Sequence, residues 1–257
     1  MTREEKSALS KVPAITLGFW VIKIFATTLG EVGGNAVTLT LGLGYLAGTA
    51  IFAAALAALL VAQIRSDRFH PTLYWAVITA TTLAGTTLAD FCDRSLGIGY
   101  AGGSLVLFSL VVATLVLWHR TLGTVAVETV RAPKAEGFYW ATIMFSQTLG
   151  TALGDWMADS TGLGYNGSAL LIFVALVVVT VLHLRTRVSR PLLFWTAFVL
   201  TRPLGATLAN SLDKPAASGG LGINDVTISA VLALVMVAAV LLIPQRAGRH
   251  PETADAA

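Results

Sequence analysis

Lys23, Thr27, Glu31 and Asn35 recur every fourth residue inside an otherwise apolar stretch, W-V-I-K-I-F-A-T-T-L-G-E-V-G-G-N over residues 20–35. On a helix of about 3.6 residues per turn such a spacing makes one slowly spiralling polar stripe. Ammonium, hydroxyl, carboxylate and amide groups in that order could hold an ion, exchange a proton or pair with one another. The stripe returns in altered form three more times. Ile78, Thr82, Thr86, Asp90 and Arg94 make the second version, and Ile143, Gln147, Thr151, Asp155 and Asp159 the third. Phe198, Arg202, Ala206, Asn210 and Lys214 make the fourth, while the first ends at Leu39.

Composition decides which solvent these charges meet. Of 257 residues 55% are hydrophobic and 12% charged, with a mean hydropathy of +0.76, whereas soluble domains carry about a quarter of their residues charged. Apolar segments run over 14–34, 41–63, 72–92, 98–118, 138–158, 163–183, 192–210 and 221–243. Each is close to the roughly 20 residues that span a hydrocarbon core. The expectation is an all-α polytopic membrane protein with eight transmembrane helices, and the polar residues 1–13 do not read as a signal peptide. A lone Cys92 supplies neither a disulfide nor a metal cluster.

Basic residues in the connections orient the chain, because cytoplasmic loops collect Lys and Arg. With both termini inside, the cytoplasmic segments hold Arg3, Lys6, Lys11, Arg65, Arg68, Arg120, Arg131, Lys134, Arg185, Arg187, Arg190, Arg246 and Arg249, against Arg94 and Lys214 outside. An N-in, C-in arrangement in a bacterial cytoplasmic membrane is expected. The net charge of +3 follows from this bias and implies no nucleic-acid partner.

A fixed period overlies the helices. Trp20, Trp75, Trp140 and Trp195 are each followed ten residues later by Gly30, Gly85, Gly150 or Gly205, and fifteen residues later by Asn35, Asp90, Asp155 or Asn210. GLGY at Gly42–Tyr45, GIGY at Gly97–Tyr100, GLGY at Gly162–Tyr165 and GLGI at Gly220–Ile223 close each period. The chain therefore reads as a single membrane domain of four tandem two-helix repeats, 12–64, 69–119, 134–184 and 190–243. The halves 12–119 and 134–243 suggest two successive duplications. The recurring F/Y-W, the K-x3-T-x2-G-E of the first repeat, T-T-L-A-G-T-T-L-A-D at 81–90 and T-R-P-L-G-A at 201–206 resemble a bacterial integral membrane family. That family is built from four copies of a two-helix repeat of unknown function, each with a characteristic Trp. The resemblance implies the eight-helix architecture and carries over no activity or site.

Two helices per repeat return the chain to one side, so the repeats should be pseudo-symmetric about the membrane normal. The polar odd-numbered helices should form an inner ring and the aliphatic even-numbered helices face lipid. Small pairs four residues apart, Gly30 with Gly34, Gly85 with Ala89, Gly150 with Gly154 and Gly205 with Ala209, suit close helix packing. They form one face of the inner helices and the stripe another. The four Trp read as belt residues at the cytoplasmic interface, and the GLGY motifs as packing and anchoring loops.

Mid-membrane charges cost about 2.5 to 3.5 kcal/mol each on insertion scales, so they must meet partners or water. One expectation is structural: Lys23 pairs with Glu31 along its own helix, and Arg202 pairs with an acid of a neighbouring repeat. The other is a substrate path through Lys23, Thr27, Glu31, Asn35, Thr82, Thr86, Asp90, Gln147, Thr151, Asp155, Arg202 and Asn210. It is favoured because each repeat carries a different set of charges. In it Glu31 couples to protons, and Glu31, Asp90 and Asp155 are candidate metal ligands. The leading expectation is a secondary transporter of a small ion or metabolite, leaning to a cation such as a divalent metal, although Lys23 and Arg202 suit an anion. A passive channel and a non-transporting scaffold or sensor are the alternatives. No P-loop, dinucleotide fingerprint, haem motif or HExxH is present, so neither enzymatic activity nor a cofactor is expected. The expected partners are the lipid bilayer, the small solute and, in a homo-oligomer, further copies of the chain.

Overall fold

A computed structural model describes residues 9–249, and Arg3 and Lys6 lie outside them. Eight α-helices dominate: α1 Leu17–Asn35, α2 Gly44–Arg65, α3 Pro71–Asp90, α4 Tyr100–Leu122, α5 Pro133–Asp155, α6 Gly164–Arg185, α7 Arg190–Asp213 and α8 Asp225–Leu242. Pro at the first turn of α3, α5 and α7 starts those helices, since a missing N–H costs nothing there. Two short strands, β1 Leu9–Pro13 and β2 Ala247–Arg249, pair antiparallel.

The odd-numbered helices close a ring in which α1 touches α3 and α7, and α5 touches α3 and α7. Each even helix packs on the inner helix of the following repeat, α2 on α3, α4 on α5 and α6 on α7, and α8 packs on α1. The ring is thus cyclic although the chain is open. Five helices, α2, α4, α6, α7 and α8, are long and apolar enough to cross a membrane. In α1, α3 and α5 buried polar residues dilute the apolar content. The outer helices expose Leu105, Phe108, Leu170, Phe173, Leu234 and Leu241 among many aliphatics. Such an apolar surface belongs in lipid rather than water, and the chain is a multi-pass membrane protein.

The close approach of the inner helices has one rule. A Cβ on Gly30 would lie 2.3 Å from Thr82, on Gly85 3.1 Å from Gln147, and on Gly205 2.3 Å from Thr27; on Gly150 it would overlap the stem of Arg202. Every one of these partners stands seven residues after the Trp of the next repeat, and the fourth repeat returns to the first. The small face and the polar stripe are consequently not separate, as expected, but the two halves of one helix–helix contact.

The Trp residues also depart from expectation. Trp75, Trp140 and Trp195 are buried and Trp20 half-buried, so they do not form a lipid-interface belt. The aromatic residue before each Trp packs against the Trp of the next repeat in a tilted or edge-on contact: Phe19 on Trp75, Tyr74 on Trp140, Tyr139 on Trp195 and Phe194 on Trp20. The Tyr74 and Tyr139 hydroxyls share a hydrogen bond of 2.6 Å across this collar. Beneath it the paired strands β1 and β2 and the central linker form a clasp. Lys11 Nζ donates to Glu136 Oε1 at 2.5 Å, Ser10 Oγ to the Val127 carbonyl, and Trp195 Nε1 to the Val125 carbonyl. Lys11, expected only as a topology signal, is a buried ion-pair partner.

At the other end α1, α3 and α5 each run into a wide π-type turn, over Ala36–Thr40, Phe91–Ser95 and Trp156–Ser160. α7 instead continues to Asp213. The motif glycines Gly42, Gly44, Gly97, Gly99, Gly162, Gly164 and Gly222 have φ between 62° and 78°, with open space at the Cβ position. Their role is backbone conformation, not packing.

Candidate functional site

The stripe residues stack into layers on the ring, about 6 Å apart for four-residue steps at 1.5 Å per residue. Three, seven, eleven and fifteen residues after each Trp, the four helices contribute one residue apiece. The first layer holds Lys23, Ile78, Ile143 and Phe198; the second, Thr27, Thr82, Gln147 and Arg202. The third holds Glu31, Thr86, Thr151 and Ala206, and the fourth Asn35, Asp90, Asp155 and Asn210. All sixteen are buried.

The third layer is bolted from the second. Arg202 reaches one layer along, where Nη2 donates to Glu31 Oε2 at 3.0 Å, to Thr86 Oγ1 at 2.6 Å and to Thr151 Oγ1. One guanidinium from the fourth repeat thereby touches the other three repeats. Ala206 is the small member of that layer, on Arg202's own helix. Pro203 follows Arg202 inside α7, so a helix hydrogen bond to the Val199 carbonyl is missing.

The expected pairing of Lys23 with Glu31 does not form, because Glu31 is engaged by Arg202. The expected pairing of Arg202 with an acid of a neighbouring repeat does, across α7 and α1. Lys23 lies fully buried, its Nζ 4.1 Å from the centroid of the Phe198 ring and 3.4 Å from Thr201 Oγ1. Several threonines of the stripe face the seams. Thr27 donates to the Ile24 carbonyl at 2.9 Å, Thr82 to those of Thr79 and Ala26, and Thr86 to those of Thr82 and Gly30. Gln147 is buried with neither amide atom partnered among the described residues, and Arg202 Nε and Nη1 are likewise unpartnered. Buried polar atoms without partners are rare in native proteins, and each calls for an explanation in strain, water, an ion or function.

The fourth layer has its own closure. Arg94, from the π-type turn after α3, bridges Asp90 at 2.8 Å and Asp155 at 3.1 Å, and Asn210 Nδ2 donates to Asp155 at 3.3 Å. Asn35 Nδ2 donates to Asp213 at 3.4 Å, which also receives Lys214 at 3.3 Å. Beyond the helix end, the Lys214 ammonium has its pKa raised: burial pulls it down, but Asp213, Glu31 and Asp155 together outweigh that. Glu31, Asp90 and Asp155 do not assemble as metal ligands. Each is held by an arginine, and among the described residues no group of three or more His, Cys, Asp or Glu side chains is placed to hold a metal.

Sequence reasoning missed Arg94 as the bridge, the aromatic collar and the clasp. The F/Y-W pair in every repeat was the available sign of the collar, and the placement of Arg94 four residues after Asp90 that of the bridge.

No curated protein and no solved structure matches the chain. A family model described as Repeat of Unknown Function (DUF347) matches it four times, at residues 18–69, 73–124, 138–189 and 193–246, most of its length. Each matched segment holds one inner and one outer helix, so the chain, a cyclic ring of four such units, belongs to the DUF347 repeat family.

Proposed function

We propose that the protein is a secondary transporter of a bacterial cytoplasmic membrane, moving a small solute along the ring axis with Glu31 as the proton-coupling carboxylate. The observation that carries this reading is the contact of Arg202 with Glu31, Thr86 and Thr151. A charged bolt at mid-helix, made by all four repeats and different in each, is costly for a scaffold. It suits an element that must be released to open a path. Protonation of Glu31 would remove the charge that holds Arg202, leaving it two neutral hydroxyls. Pro203, one residue along, gives α7 local slack. The collar and clasp at one end and the Arg94 bridge at the other then act as two closures of an occluded path, the arrangement that alternating access requires. The Lys and Arg bias of the connections supports placing the termini, collar and clasp in the cytoplasm.

The test is uptake into proteoliposomes carrying a pH-sensitive dye, across divalent metals, monovalent cations and small anions, with wild type beside Glu31→Gln. A solute-triggered proton signal that the folded variant loses supports coupled transport. Silence across the panel from folded protein would overturn it and favour a scaffold. Full flux in the folded Glu31→Gln/Arg202→Met variant would show that the path lies elsewhere.

A further inference from the structure

We propose that Lys23, Gln147 and Arg202 form a binding site for a small monovalent anion, the cargo of the transport reading on which this proposal rests. Three observations converge on it. First, the inner layers hold two fully buried cations, Lys23 and Arg202, and one carboxylate, Glu31. Glu31 is committed to Arg202, which leaves Lys23 without a carboxylate partner among the described residues. A buried charge without a counter-charge is strongly disfavoured, and a cation–π contact with Phe198 compensates only part of it.

Second, two residues of one layer carry buried groups without partners. Arg202 Nε and Nη1 and both amide atoms of Gln147 lack partners among the described residues. Gln147 and Arg202 belong to the same layer on adjacent helices, and the stem of Arg202 lies against Gly150, one turn along from Gln147 on α5. Lys23 stands one layer away, with Nζ on the hydroxyl of Thr201, the residue before Arg202. Ammonium, guanidinium and amide N–H groups are all donors, and such a set fits an anion's acceptors.

Third, among the described residues the three carboxylates of the stripe are already engaged by arginines. Asp90 and Asp155 share Arg94, and Glu31 holds Arg202. A protonated Lys23 would take one negative charge as its partner, so chloride, nitrate and bicarbonate are the probes.

The experiment is thermal unfolding of the purified full chain in detergent at constant ionic strength, titrating each sodium salt against sodium gluconate. Lys23→Met and Gln147→Met are run beside wild type; Lys23→Met removes an unpaired buried charge and should fold. The expected result is a Tm that climbs with one probe anion in wild type and an affinity at least ten-fold weaker in both variants. Equal shifts in wild type and variants, no anion-dependent shift in folded protein, or a shift that follows the cation when potassium or manganese replaces sodium would each overturn the site. Binding is read without flux, so the two proposals separate. An anion that binds but crosses no membrane leaves the site standing and overturns its role as cargo. A solute carried by protein that shows no anion-dependent shift leaves transport standing and overturns the site.

Discussion

Arg202 Nη2 lies 3.0 Å from Glu31 Oε2, joining the fourth repeat to the first across a pair of side chains with almost no exposure to solvent. The consequence for stability is asymmetric. Removing one member of a buried pair leaves the other charge unpaired at a cost of about 3–5 kcal/mol, whereas removing both is often nearly neutral. Glu31→Gln and Arg202→Met should each lower Tm sharply, and the double variant should recover most of the loss. A double-mutant cycle by thermal unfolding checks this, and additive losses would show that the two side chains do not act as a pair.

Gly205 receives Thr27, whose Oγ1 would lie 2.3 Å and backbone carbon 2.9 Å from an added Cβ. Gly205→Ala should therefore destabilise by about 1–3 kcal/mol through overpacking. Thr27→Ala should rescue it only in part, because the backbone contact remains. Gly137, exposed in α5 with nothing near its Cβ position, is the control: Gly137→Ala should be neutral or stabilising through helix propensity. Thermal melts of the four variants decide the matter.

Tyr74 and Tyr139 share the one hydroxyl–hydroxyl bond of the collar. Replacing one by Phe leaves a buried hydroxyl unsatisfied, a loss of about 1–3 kcal/mol, while replacing both is milder. Tm should fall further in either single variant than in Tyr74→Phe/Tyr139→Phe. The reverse order would mean that the bond contributes beyond satisfying its own partners.

Arg94 is part-exposed yet holds two buried carboxylates, Asp90 and Asp155. Arg94→Leu should lower Tm by leaving both acids facing each other, and Asp155→Asn in the same chain should restore much of it. If the second substitution lowers Tm further, repulsion between the two acids is not the cause.

Helix number and repeat structure are local properties, and both were legible. Apolar runs of spanning length and the recurrence of Trp, Gly and GLGY persist along the chain whatever it packs against. Helix limits followed too: the run at 41–63 became Gly44–Arg65 and that at 221–243 became Asp225–Leu242. The first four residues of each stripe are buried, since residues four apart on a helix must share a face.

Which partner each buried group takes was decided only by the tertiary structure. Lys23 and Glu31, eight residues apart on α1, are as close in sequence as a pairing argument could ask. Yet cyclic closure of the ring brings α7 against α1 and delivers Arg202 to Glu31 from 171 residues away. The same closure turned the Trp residues from an interface belt into a collar and set each glycine beneath a side chain of the next repeat. Periodicity specifies a face, but a ring specifies what that face meets. The amino-acid sequence therefore determined the helices, their repeats and their polar stripes, while the order of neighbours around the ring determined the chemistry, because a charge buried in a bundle is defined by the helix beside it.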